Sequence, residues 1–316
     1  LSDGSFYVGG FDSDNYQGHG VLVLRDGSVQ SGVWNNGLRV RDADGKLLPD
    51  PLETALLVQG RLLKEALDTV PASTPAIELY SLTLAGDGKQ SVFLREADYV
   101  SNMLASRFGA YGQIRLVNHR DHLMNRPMAT RENLRRAAQT LAERSGPEDL
   151  VFIYLTSHGT SAHELVLDQP RLELADLPAD ELATALAPLK NRDKIIVISS
   201  CYSGGFIPAL KDERTLIMTA SQADRVSFGC SEEADFTYFG DALFAQALNQ
   251  TDDLEHAFKL ARGIVAEREQ ADGFEASEPQ IWAPRGVIAH WQQLRKQQAR
   301  KALQSVSISS KEAQSN

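Results

Sequence analysis

The sequence predicts an α/β protein, with a mainly parallel β-sheet covered by helices on both faces, preceded by a small β-hairpin segment. Three observations carry this expectation. The apolar runs Leu150 to Leu155 and Ile195 to Ile198 are strand-sized and nearly continuous, as in strands buried on both faces. Helix-length stretches alternate with such runs from Ile77 onward, which is the pattern of a doubly covered sheet. Residues 1–45 look different, because glycines and aromatics recur there in short polar stretches separated by turn signals.

In the first region the stretches are Tyr7-Val8-Gly9-Gly10-Phe11, Tyr16-Gln17-Gly18-His19-Gly20, Asp26-Gly27-Ser28 and Ser31-Gly32-Val33-Trp34-Asn35-Asn36-Gly37. Val21 and Val23 alternate between the turns, which reads as hairpins. The spacing resembles MORN repeats, and about one and a half units are present; a plain hairpin cap is the alternative. Residues 46–75 follow as helix and linker. Pro49-Asp50-Pro51-Leu52 opens a helix through Leu67, with Leu52, Ala55, Leu56, Leu62, Leu63 and Ala66 at roughly helical spacing. Pro71 to Pro75 is the linker.

The main domain is expected over residues 76–290. Ile77 to Leu84 is a strand ending at Ala85-Gly86-Asp87-Gly88, and a helix follows over Glu96 to Phe108. Ile114 to Asn118 is a strand, and Thr130 caps the next helix through its hydroxyl. Two strands, Leu150–Thr156 and Lys194–Ser199, bracket a hairpin at Glu164 to Leu167 and a helix from Pro178 to Leu189. Thr215 to Thr219 is a fifth strand, and helices over Gly240–Asn249 and Asp253–Gln270 close the domain. The tail, 291–316, is polar with a helical tendency; it is expected to pack on the domain or, past Ser305, to stay disordered.

Composition narrows the function. A formal charge of −10, from 42 acidic and 32 basic residues, argues against a nucleic-acid footprint. No apolar run approaches the roughly 20 residues that span a bilayer. The 2 cysteines, Cys201 and Cys230, make neither a disulfide framework nor a zinc spacing. His119 and His122 lack nearby ligands of a consistent site, so no metal and no organic cofactor is expected. The chain begins at Leu1 rather than Met, which reads as a fragment or processed form.

Two apolar strands end in reactive residues. Leu150–Thr156 delivers Ser157-His158-Gly159, and the next delivers Ser200-Cys201-Tyr202-Ser203-Gly204-Gly205. The stretch between them suffices for one crossover, so both strands run parallel and adjacent and present His158 and Cys201 at one sheet edge. A thiol is mostly protonated at neutral pH, and an imidazole beside it takes the proton and later returns it to the leaving group. The amides of Gly159 and Cys201 are candidates for an oxyanion hole. Alone, a buried cysteine is usually a small core hydrophobe and a strand-end histidine a structural residue. Their joint placement points to catalysis. Cys230 reads as structural, and His163 is an alternative base.

The ordered set of Ala85-Gly86-Asp87-Gly88, Tyr154 to Gly159, Ser200 to Phe206, Thr219-Ala220-Ser221 through Ser227-Phe228-Gly229-Cys230 and Glu278-Pro279-Gln280-Ile281 resembles the legumain/caspase clan of cysteine peptidases, and most of all the bacterial legumain branch. The resemblance covers about 76–290 and implies a caspase-like three-layer sandwich, a Cys201–His158 dyad and a polypeptide substrate. Such enzymes orient the histidine with an Asn after the first strand. Asp87 to Val92 holds none, so the third triad member stays unassigned. The pocket for the residue before the scissile bond would draw on Gln90 and Arg95, on Ser200, and on Ser227, Glu232, Glu233 and Asp235. An arginine together with acids reads an amide, so the expected order is Asn, then Arg or Lys, then Asp. Transpeptidation or transamidation through the same dyad, and a non-catalytic MORN-bearing adaptor, are the competing functions. In relatives, MORN units accompany the peptidase in exported proteins, which implies a cell-envelope or periplasmic location and a MORN-like surface for membrane lipid or another protein.

Overall fold

A computed structural model of the chain describes residues 4–12, 15–35 and 37–314, without the side chains of 302 and 305–314. Asn36 of the last hairpin signal and residues 315–316 of the tail lie outside the described residues. Two compact units emerge, Leu1–Val58 and Gln59–Asn316.

The first unit is the expected set of hairpins. Strands β1 (Phe6–Asp12), β2 (Asn15–Val23), β3 (Val29–Asn35) and β4 (Leu38–Arg41) form an antiparallel sheet in that order. Its glycine and aromatic pattern has a steric cause. Tyr7 stacks on Tyr16 with ring centroids 3.8 Å apart, and Trp34 meets both edge-on. The Tyr7 ring lies across the paired Gly9 and Gly20, and a Cβ at Gly20 would fall 2.0 Å from the Tyr7 hydroxyl. Trp34 Nε1 donates to Gly20 O at 3.1 Å. Helix α1 (Pro51–Asp68) begins in this unit and ends in the second.

The second unit is a three-layer α/β sandwich. In chain order it holds β5 (Leu79–Ala85), α2 (Ser91–Ser106), β6 (Ala110–Val117), α3 (Arg131–Arg144), β7 (Leu150–Thr156), β8 (Glu164–Leu165), β9 (Leu177–Pro178), α4 (Ala179–Leu186), β10 (Asp193–Ser199), α5 (Ile207–Leu210) and β11 (Thr215–Thr219). There follow α6 (Tyr238–Gly240), a π-helical stretch over Asp241–Ala247, α7 (Leu248–Gln250), α8 (Leu254–Asp272), β12 (Gln280–Trp282) and α9 (Arg285–Gln314). The main sheet has six strands in the order β12-β11-β10-β7-β5-β6, all parallel except β12.

Alternation along each buried strand separates two apolar layers. Val151, Ile153 and Leu155 of β7 and Ile196 and Ile198 of β10 face α3, α4 and α5. Phe152 and Tyr154, with Ile195 and Val197, face α2, the 238–250 segment, α8 and α9. Among the described residues no helix is long and apolar enough to cross a membrane.

Two departures from the sequence expectation have physical reasons. Helix α2 starts at Ser91, one and a half turns before Glu96, where a carboxylate remote in sequence satisfies its first amide. Glu232 accepts the Ser91 N–H at 2.7 Å, while Asp87 Oδ1 accepts those of Lys89 and Gln90 at 2.8 and 3.0 Å. The tail does not separate from the domain at 290. Helix α9 starts at Arg285 and buries Val287, Trp291 and Leu294, an i, i+4, i+7 stripe. His290 bridges Asp193 Oδ2 at 2.8 Å and Glu148 O at 2.9 Å.

Candidate active site

Strands β7 and β10 are adjacent and parallel, with Thr156 opposite Ser199. The residues just beyond them, His158 and Cys201, therefore emerge side by side at the carboxyl edge of the sheet. Gly159 shows how closely the two turns approach: a Cβ there would lie 2.1 Å from the Cys201 carbonyl oxygen and 3.0 Å from Ser200 Oγ. Glycine at 159 is thus demanded by the backbone of Cys201. Ser200 is buried, with no partner for its hydroxyl among the described residues, so it fills this junction and does not line an open pocket.

The turn after β10 is stiff. Tyr202 holds a left-handed φ of 56°, a conformation that costs a residue with a Cβ about 1 kcal/mol or more. The surroundings impose it. Tyr202 N–H donates to Arg225 O at 2.7 Å, Gly205 N–H to Tyr202 O at 3.1 Å, and Ser203 N–H to the buried Ser221 hydroxyl at 3.2 Å. Among the described residues, no acceptor takes the amide protons of Gly159 and Cys201. Both remain available to a developing oxyanion.

His158 is half-buried, with the Phe93 ring edge-on at 5.0 Å and its Nε2 3.0 Å from Gln90 Oε1. With that oxygen as acceptor, Nε2 carries the proton and Nδ1 is the basic nitrogen. Sequence reasoning left this partner unassigned because it sought an Asn; the loop after β5 supplies an amide one methylene longer. Cys201 Sγ touches Ser227, accepting from its N–H at 3.3 Å and donating to its O at 3.5 Å. Ser227 thus sits on the Cys201 thiol. No hydrogen bond joins Sγ to His158 among the described residues.

The other thiol differs in kind. Cys230 packs against the apolar cluster of Ala85, Val92, Phe93, Leu94, Ala97 and Val117, and burial pushes its thiol up to about 12. His163 occupies the tip of the hairpin after His158 and lies against Gly205, its buried Nδ1 without a hydrogen-bond partner among the described residues. Gln90 is bonded to His158 and not to His163, which makes His158 the oriented imidazole.

The charged residues expected to line a pocket are largely engaged with one another. Arg95 donates through Nη2 to the carbonyls of Glu232 and Ala234 and lies 3.3 Å from Asp235 through Nε. Glu232 receives the Ser91 N–H, the Ser91 hydroxyl at 2.9 Å and the Arg120 guanidinium. Burial raises its carboxyl, but these hydrogen bonds outweigh burial and hold it below the usual range. Glu233 stays exposed. Arg95 is therefore a clamp between α2 and the 232–235 segment, and its charge is matched there. Arg120 was not foreseen, since only the tertiary fold brings the end of β6 to this segment.

His119 belongs to the same clamp. Its Nδ1 accepts from Asp121 N–H at 3.2 Å, so Nε2 donates to Ser91 Oγ at 3.0 Å, and burial pushes the imidazole down. Beneath the strand ends, Glu96 is wholly buried among hydroxyls. Tyr154 OH, Thr156 Oγ1 at 2.9 Å, and both Thr237 N–H at 2.7 Å and Oγ1 at 2.9 Å bond to it. Burial raises this carboxyl, and Thr237 in turn bonds Ser199 at 2.9 Å. Among the described residues no group of three His, Cys, Asp or Glu side chains converges to hold a metal.

The family model described as the peptidase C13 family matches residues 79–140 and 132–290, which together make up more than half of the chain. A search of curated proteins finds no match. Among solved structures, this chain is similar to caspase-1 from Spodoptera frugiperda, with 13% identity over 68% of this chain and 92% of that one and a TM-score of 0.47.

Proposed function

This chain belongs to the peptidase C13 family and is a cysteine peptidase acting on polypeptides, and we propose that Cys201 is its nucleophile and His158 its general base and acid. The observation that carries this reading is the emergence of both residues from the adjacent parallel strands β7 and β10, with Gly159 seated on the Cys201 carbonyl. Nδ1 of His158 removes the thiol proton, and the thiolate attacks the scissile carbonyl carbon. The carbonyl oxygen becomes an oxyanion received by the Gly159 and Cys201 amides. The C–N bond then breaks, His158 protonates the leaving amine, and a thioester remains on Cys201. Water, deprotonated by His158, releases the acid and restores the thiol. Gln90 is the positioning residue in this scheme, fixing the imidazole's tautomer and plane.

For the residue before the scissile bond the reading is Asn first, Arg or Lys second and Asp third. The pairing of Arg95 with Asp235 and of Glu232 with Arg120 supports placing Asn first, because matched charges leave no net charge to favour a basic or an acidic residue. Residues 1–45 are read as a MORN-like unit, supported by the four-stranded sheet and its aromatic stack over paired glycines.

The test is a peptide-library cleavage profile of the wild type beside C201A. Cleavage after Asn that vanishes in C201A is the expected result. Cleavage surviving in C201A would remove Cys201 from the mechanism, and a profile led by another residue would overturn the Asn reading alone.

A further inference from the structure

A cleft of about 540 Å³ lies between α8 and residues 276–280, apart from the catalytic turns. Lys259, Arg262, Gly263, Ala266 and Glu269 of α8 form one wall. Their spacing places them on one helical face. Glu269 is 2% exposed. Its Oε2 accepts the Ser277 N–H at 3.0 Å, but among the described residues its buried Oε1 has no hydrogen-bond partner, and neither has the Ser277 hydroxyl. A buried carboxylate oxygen left unpaired costs free energy that a donor from a ligand would recover.

The rim is opposite in sign to the floor. Lys259 and Arg262 are exposed at the cleft, while the one rim acid, Glu278, lies 3.8 Å from Arg225. A purely cationic ligand is therefore disfavoured at the entrance, and a purely anionic one at Glu269. A ligand with a donor cation at one end and an anion at the other satisfies both. Arg262 and Glu269 are two helical turns apart, about 10 Å along the axis. An extended peptide covers about 3.3–3.6 Å per residue, so three residues match this span and a free amino acid is too short.

From this geometry we propose that the cleft binds a short peptide with free termini, its α-ammonium on Glu269 and its C-terminal carboxylate at Arg262 and Lys259. The cleft shares its far wall with the segment beside the nucleophile. Ser277 O accepts the Gln222 N–H at 2.8 Å, and Arg225 Nη1 donates to Ala276 O at 3.0 Å. The proposal concerns binding and stands whether or not Cys201 is the nucleophile.

The probe is trialanine, titrated calorimetrically into the full chain beside N-acetyl-trialanine and trialanine amide. Trialanine is expected to bind saturably, and either blocking group to weaken it about tenfold or more, the worth of a charged hydrogen bond. R262E, an exposed change, should erase the preference for a free carboxylate. E269Q retains an acceptor for Ser277 N–H and should erase the preference for a free amine. No saturable binding at millimolar trialanine, or binding indifferent to acetylation or to R262E, would overturn the proposal even if E269Q failed to fold.

Discussion

The turn after β10 and the segment after β11 each carry one cysteine, and they are held in opposite ways. Around Cys201 the backbone is fixed by strand register, by the left-handed Tyr202 and by buried serines, while the thiol meets a backbone N–H. Around Cys230 the anchors are polar side chains at some distance, Arg95, Arg120 and Glu232, while the thiol faces carbon. An apolar wall opposes the thiolate at Cys230. Two cysteines 29 positions apart in one domain are thus set up for different chemistry by what surrounds them.

The largest effect that tests this contrast is on turnover. C201A is expected to lower kcat/KM by about a thousandfold or more, whereas C230A should leave it near the wild-type value. Iodoacetamide followed by peptide mass mapping should modify Cys201 and spare Cys230, whose thiol burial pushes up to about 12. Equal labelling of both would abolish the distinction.

Next is Gln90. Q90A should lower kcat by about tenfold to a hundredfold with little change in KM, since a mis-set imidazole costs rate and not affinity. The pH dependence of kcat should shift as well, and Q90N should recover part of the rate. An unchanged pH profile would reduce Gln90 to a structural contact.

A smaller effect belongs to the clamp on the second segment. E232A removes the acceptor of the Ser91 amide, the Ser91 hydroxyl and Arg120. A stability loss of about 1–3 kcal/mol is expected, together with a raised KM and a nearly unchanged kcat. Unaltered KM would separate this segment from substrate binding.

The smallest effect is a pH slope. Glu96 ionises near 4.5 when unfolded but holds its proton to higher pH when buried. The contribution of the protonated form is full below that value and is lost as pH rises through the folded value. E96Q, which cannot ionise, should therefore gain stability relative to the wild type between pH 5 and pH 8 in denaturant melts. A pH-independent difference would mean that Glu96 ionises as readily folded as unfolded.

Much of the fold was legible in the sequence, and the reason is local. Leu150–Thr156 and Thr215–Thr219 are observed with the predicted bounds, because a strand buried on both faces leaves a continuous apolar run. Thr130 caps α3 as expected, accepting the Asn133 N–H at 3.1 Å. The start of α2 is not legible in the sequence because its first amide, that of Ser91, is bonded by Glu232, which is distant in sequence. The Val287, Trp291 and Leu294 stripe was visible, but the polar residues between them masked the helix that docks.

Hydrophobic periodicity and the order of the strands sufficed to set His158 and Cys201 at neighbouring strand ends, since a parallel crossover leaves few alternatives. Which partners those residues meet was decided by the tertiary structure alone. Gln90 on the imidazole, Ser227 on the thiol, Gly159 against the Cys201 carbonyl and Arg120 against Glu232 are contacts between loops remote in sequence. Side-chain hydrogen bonds act over about 3 Å and leave no periodic trace along the chain, whereas burial of a strand marks every residue in it.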